Sequence, residues 1–345
     1  MNISCKKYPL IGILTLLVLG VNIKPVFSTS PHLPTLRLTS AYFGFAQYRS
    51  LSTGRSVQVS PPSVTCHLSP VTCHLLAQNP RQIALDWLNR GLQAIQGGKV
   101  EEAINAFRQA TKLDPTLAAA HYNLGLALRQ TGKLQPAADA FYQATQADPQ
   151  FALAFANLGS ALLEGNNLQL ANDYLQRALQ LDPKLGFAHY NLGLIREIKK
   201  DWDGAIASFQ QAIINSPNSP EPSYHLGLCY LQKGSIELAK AAFSAAITIN
   251  PKYAEAHYNL GSILFNQGKF KEALDAFRKS TQANANYADA YYGAGLVFVQ
   301  LKQYPEAIKV IKYARDLYKN QGNTQWVNNA DKLLTQIQKL NNKPR

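Results

Sequence analysis

Three sets of side chains in this sequence could do chemistry by their type and spacing. The first is Cys66-His67 and Cys73-His74, set in the near-duplicate segments 64–68 and 71–75. Thiolate and imidazole are the donors zinc prefers. Neither pair has the two-to-four-residue spacing of a zinc finger, however, and a tandem duplication copies whatever it contains, so no metal or cofactor is assigned. Cys66 and Cys73 also stand as candidates for a disulfide in an oxidising compartment. The second set is His121, His189 and His257, which recur at one position. Packed helices lie about 10 Å apart, which would put these imidazoles about 20 Å from one another. They read as packing residues in the place Trp87 occupies, not as ligands of one ion.

The third set is a double ladder. Asn89, Asn123, Asn157, Asn191 and Asn259 recur in step, with His225 and Gly293 at the equivalent places, and Tyr122, Tyr190, Tyr224, Tyr258 and Tyr292 stand one residue earlier. An amide side chain offers both donor and acceptor, so such a ladder can bond the backbone of an extended peptide whatever its sequence. Tyrosine adds amphipathic contact area at low entropy cost. The same asparagines can instead tie helices together, and both roles stay open on the sequence alone. These ten residues are the candidate partner-binding set. Nothing in the chain has the spacing of a phosphate loop, a nucleophile with its base, or a carboxylate pair, so no enzymatic role is expected.

The elements that position this ladder repeat every 34 residues from residue 84. Gly91, Gly125, Gly159, Gly193, Gly227, Gly261 and Gly295 fall in register, and Ala103, Ala137, Ala171, Ala205, Ala239, Ala273 and Ala307 follow each by twelve. Four further on stand Phe107, Phe141, Leu175, Phe209, Phe243, Phe277 and Ile311. A small residue lets two helices approach, and the large one fills the space beside them. Gly98, Gly132, Gly234 and Gly268 are placed to end a first helix in the left-handed conformation, which costs glycine nothing. Pro115, Pro149, Pro183, Pro217 and Pro251 stop the second helix. Repeats six and seven carry Ala285 and Lys319 there instead, so their second helices are expected to run longer or looser. Asn79 is placed to cap the first helix, with Pro80 at its opening position and Gln82 closing a capping box. Trp326, Ala330, Leu333, Leu334, Ile337 and Leu340 then recur at helical spacing, as a capping helix over 322–340 would require.

These anchored positions resemble the tetratricopeptide repeat family over residues 84–321, as seven repeats (84–117, 118–151, 152–185, 186–219, 220–253, 254–287 and 288–321). The resemblance implies an all-α, right-handed solenoid of helical hairpins whose concave wall, lined by the first helices, takes protein or peptide ligands. The asparagine ladder is similar to that of the superhelical repeat region of O-linked N-acetylglucosamine transferase, where such residues hold peptide backbone. That enzyme's catalytic domain is not expected, since 24 residues follow the last repeat. Chaperone-tail binders of the family clamp a terminal carboxylate with Lys before the asparagine and Asn after the glycine. Here those positions hold Leu or Tyr and Leu or Ser, which speaks against such a clamp.

The net charge of +13 divides unevenly. No Asp or Glu precedes Asp86, so Lys6, Lys7, Lys24, Arg37, Arg49, Arg55 and Arg81 make that stretch strongly basic, and residues from 302 onward carry a second excess. Residues 86–301 hold 18 basic and 18 acidic side chains, so the repeats offer no basic face for counterion release and nucleic acid is not an expected partner. Lys6 and Lys7 precede an apolar run over 10–21 and the exit Val26-Phe27-Ser28, the order of a signal peptide over 1–28. The run is shorter than the roughly 20 residues a bilayer crossing needs, although a short membrane anchor or a transit peptide remains an alternative reading. Residues 29–79 have no period and the composition of a linker. The expectation is an exported or membrane-anchored scaffold or adaptor that binds proteins or peptides, with assembly of an envelope or membrane complex as its setting. The alternative is a non-catalytic subunit recruiting substrates for a separate enzyme such as a glycosyltransferase.

Overall fold

The structure is a computed structural model, and it describes residues 79–342. The leader expected over 1–28 and the linker expected over 29–79, with Cys66 and Cys73, lie outside the described residues except for Asn79. Among the described residues the chain is all-α, with fifteen helices and no strand. They pair as hairpins: α1 (Pro80–Gln96) with α2 (Val100–Leu113), α3 (Ala118–Gln130) with α4 (Leu134–Ala147), and α5 (Ala152–Glu164) with α6 (Leu168–Leu181). Next come α7 (Gly186–Ile198), α8 (Trp202–Asn215), α9 (Pro220–Gln232), α10 (Ile236–Ile249), α11 (Ala254–Asn266), α12 (Phe270–Ala283), α13 (Ala288–Gln300) and α14 (Tyr304–Asn320). A final helix, α15, spans Thr324–Asn341. None of them is long and apolar enough to cross a membrane.

The described residues fall into two compact units, the first ending at Ile195 and the second beginning at Arg196. In the first, α1 packs on α2, α3 on α4 and α5 on α6, while α2 also packs on α3 and α4 on α5. The second repeats this order through α8, α9, α10, α11, α12, α13, α14 and α15. Within each unit the core thus lies both between the two helices of a hairpin and between successive hairpins.

Glycine makes this stacking possible. A Cβ on Gly125 would lie 2.6 Å from the Phe141 ring, and one on Gly91 2.3 Å from the Phe107 ring. The same approach recurs between Gly227 and Phe243 at 2.6 Å and between Gly295 and Ile311 at 2.3 Å. The large residue of the second helix thus sits where a side chain of the first would be. Phe107, Phe141, Leu175, Phe209, Phe243 and Ile311 are fully buried, and burial of such a side chain stabilises by roughly 1.5–3 kcal/mol.

The turn between paired helices needs a positive φ in every repeat. Gly98, Gly132, Gly234 and Gly268 adopt φ of 71°, 75°, 72° and 72°. Asn166, Lys200 and Lys302 take the same conformation at 60°, 61° and 58°, so the turn is set by the packing on either side even where glycine is missing.

Two expectations about helix ends are corrected. Helix α12 stops at Ala283 after 14 residues, like its counterparts, although Ala285 replaces proline. The stop comes from an acceptor: Asn284 Oδ1 receives the Asn286 amide at 3.0 Å, and Asp114, Asp148, Asp182 and Asn250 do the same for the amide two residues on. These side-chain turns compete with the helix for its own backbone. Helix α14, at 17 residues, does run on. At the start of α1, Asn79 Oδ1 accepts from the Arg81 amide at 3.0 Å with Pro80 in the first turn, but Gln82 does not close a capping box; its amide donates to Asp86 at 3.3 Å.

Candidate partner-binding face

The asparagine ladder is built into the helices. Asn123 and Asn191 are 2% and 1% exposed. Each turns its Nδ2 back to a carbonyl of its own helix, at Ala119 (2.7 Å) and Phe187 (2.8 Å). Asn157 donates to Leu153 O at 2.9 Å and to Tyr122 Oη at 3.3 Å. Asn259, half-buried, donates to Glu255 O at 2.9 Å and to Tyr224 Oη at 3.4 Å. Only Asn89, on α1, is exposed. A tyrosine of one repeat thus meets the asparagine of the next at a spacing of one period plus one residue. Gly293 takes the asparagine position in α13 because the Phe277 ring is there: a Cβ would approach it to 2.7 Å. His225, in the same position on α9, bonds Glu197 Oε2 through Nδ1 at 2.8 Å.

The tyrosines are packing edges with a polar tip. Tyr122 and Tyr190 are buried, and Tyr224, Tyr258 and Tyr292 are half-buried. Tyr122 lies on Phe141 and Phe151 with centroids 5.8 and 4.8 Å apart, Tyr224 edge-on to Tyr253 at 5.0 Å, and Tyr258 edge-on to Tyr287 at 5.4 Å. Tyr292 meets Trp326 of α15 at 5.3 Å. Burial pushes the Tyr122 and Tyr292 phenols up to about 12. Burial also raises Tyr224 and Tyr258, with the Glu255 and Asp289 carboxylates next in effect. All four stay neutral in any ordinary buffer, and Tyr122 and Tyr224 accept from Asn157 and Asn259.

The three recurring histidines are structural ties. His121, His189 and His257 each place Nε2 at 3.0, 2.9 and 3.0 Å from the carbonyl of Pro115, Pro183 and Pro251, pinning each first helix to the turn before it. Cys229 on α9 is fully buried, and burial holds its thiol well above the usual range.

One buried pair escaped the reading of the sequence. The Arg129 guanidinium, its side chain 4% exposed, is bound to Glu164 and donates to Ser160 Oγ at 2.8 Å. Their spacing of 35 residues is that of Tyr122 and Asn157, which is the signal that could have found them. The position six residues before each glycine, near the start of each first helix, varies in chemistry. In the first unit those positions hold Leu85, Ala119, Leu153 and Phe187, all half-buried. In the second they hold Glu221 and Glu255, half-buried, and Asp289, 9% exposed.

Comparison with known proteins agrees with this architecture. A TPR repeat model matches residues 91–132 and 227–268, and tetratricopeptide repeat models match 118–151, 137–186, 156–220 and 258–321. Among solved structures the chain is similar to YrrB, described as a TPR protein with an unusual peptide-binding site, at 26% identity over 56% of this chain and 99% of that one, with a TM-score of 0.47. It is also similar to a tetratricopeptide repeat protein of Parabacteroides merdae, at 18% identity over 72% and 99% with a TM-score of 0.55. PilF of Pseudomonas aeruginosa matches at 19% identity over 61% and 96%, also with a TM-score of 0.55. No match is found among curated protein sequences. With seven hairpins in one register and family models matching well over half of its length, the chain belongs to the tetratricopeptide repeat family.

Proposed function

We propose that this protein is an interaction scaffold that holds a segment of another polypeptide along the face formed by its first helices. The observation that carries the reading is the division of labour within each repeat. The recurring Gly, Ala and Phe side chains are buried between helices, and the position six residues before the glycine changes character from repeat to repeat, half-buried in all but the last. Packing therefore fixes the frame, while the first helices vary what they present, which is how a repeat protein acquires a partner without changing its fold.

Within this reading the tyrosine tips of Tyr224, Tyr258 and Tyr292 border the contact surface. Tyr122, Tyr190 and the buried asparagines hold its shape, and Asn89 is the ladder member free to touch a ligand. A role in assembling an envelope or membrane complex, with export directed by residues 1–28, rests on Lys6, Lys7 and the apolar run over 10–21 alone. The mass of the mature protein isolated from its native cell tests that part: loss of the first 28 residues is expected, and an intact N-terminus in the cytoplasm contradicts it.

The scaffold reading is tested by placing a photoreactive amino acid at Leu153 or Leu228 on first helices, and at Gln143 or Ser244 on second helices. Crosslinks to a polypeptide are expected at the first pair. Crosslinks confined to the second pair would overturn the assignment of the face.

A further inference from the structure

We infer that the first-helix face of the second unit binds a basic, extended polypeptide segment carrying Lys or Arg at every third residue. This rests on the scaffold reading above and specifies its ligand. Helices α9, α11 and α13 hold three charged side chains apart from histidine, Glu221, Glu255 and Asp289. All three are acidic and all stand six residues before the glycine. Every Lys and Arg between residues 220 and 320 lies instead on a second helix or in a connection: Lys240 on α10, Lys271, Arg278 and Lys279 on α12, with Lys233 and Lys252 in the turns, and so on through α14. The first helices α3 and α5 show no such pattern, because their Arg129 and Glu164 neutralise each other.

The carboxylates of Glu221 and Glu255 make no hydrogen bond or ion pair among the described residues, and Glu221 Oε2 is closed off from solvent with no donor. A desolvated carboxylate oxygen without a donor is costly, and a cationic group laid on it removes that cost. Asp289 differs, since it accepts from Tyr318 Oη at 2.5 Å and so is partly committed within the fold. The surroundings suit a cation. Glu197 lies close enough to act on the Tyr224 phenol together with Glu255, and Asp289 acts on Tyr258 and Tyr287. Glu197, Glu255 and Asp289 therefore lie along one aromatic-lined strip, and Glu221 stands one repeat before Glu255. His225, on α9, is paired with Glu197. Aromatic rims attract guanidinium and ammonium groups, so charge and surface both favour the same occupant.

Register follows from helix spacing. Successive packed helices lie about 10 Å apart, and a polyproline II segment returns the same face every three residues, an advance of about 9 Å. A peptide with Lys or Arg at every third position presents its cations in step with Glu221, Glu255 and Asp289. One with the same charges crowded together meets a single carboxylate.

Fluorescence anisotropy with labelled nine-residue peptides decides the matter. A peptide with Arg at positions one, four and seven is expected to bind at least tenfold more tightly than the same composition with its three Arg adjacent, and more tightly still than its Glu counterpart. Binding is expected to fall with salt, and at least tenfold in the Glu221→Gln/Glu255→Gln variant, whose melting temperature stays near that of the parent. Equal binding of the spaced, clustered and acidic peptides, or unchanged binding by the double variant, overturns the inference. A natural segment crosslinked to this face but lacking Lys and Arg also overturns it, and leaves the scaffold reading intact. Crosslinks on second helices alone defeat the scaffold reading itself.

Discussion

At the scale of single residues, the ladder shows how an amide can satisfy its donors within its own helix. A helix leaves side chains four residues apart on one face, so an asparagine within reach of the i−4 carbonyl can satisfy its own donors there. Asn191 does so at 2.8 Å while 1% exposed. Its replacement by alanine is therefore expected to destabilise the protein by about 1 kcal/mol, read as a lowered urea midpoint, with partner affinity unchanged in the folded protein. A loss of affinity with no change of midpoint would return Asn191 to the binding surface. The choice between tie and ligand could not be made from the residue type, because both uses need the same amide in the same place. It turns on burial, which depends on the neighbouring repeat.

At the scale of elements, hairpin turns and helix stops have separate causes. The left-handed residue between paired helices is imposed by packing, and lysine in that conformation costs about 1 kcal/mol relative to glycine. Lys200→Gly and Lys302→Gly are accordingly expected to stabilise the protein by about 1 kcal/mol each, and Asn166→Gly by less, since asparagine tolerates this conformation. Equilibrium denaturation checks the order, and a destabilising Lys302→Gly would contradict the account of the turn. The helices and their turns were legible because glycine, alanine and a large apolar residue recur at fixed offsets, each with a steric reason. The stop at Ala283 was not, because proline was given the credit that belongs to the Asx acceptor before it. The Arg129–Glu164 pair was also hidden: it joins two helices that are neighbours in space through a spacing unlike any within one helix.

At the scale of the whole molecule, stability is a sum of hairpins and the interfaces between successive ones, and an end hairpin without a cover leaves core open to water. Helix α15 covers the last one with Trp326, Ala330, Leu333, Leu334 and Ile337, all buried, and Trp326 stacks on Tyr318 at 5.5 Å. Trp326→Ala is expected to cost about 3 kcal/mol, with melting of α13–α15 detected by hydrogen exchange ahead of the first unit. Uniform melting of both units together would show that the ends are coupled more tightly than nearest-neighbour stacking allows.

The central claim is that second helices and buried side chains maintain the frame while first helices meet the partner. Hydrogen exchange of the protein with and without the spaced arginine peptide tests it most directly. Added protection is expected in α9, α11 and α13, with α10, α12 and α14 unchanged. Protection that appears on the second helices, with the first helices unaffected, would contradict it.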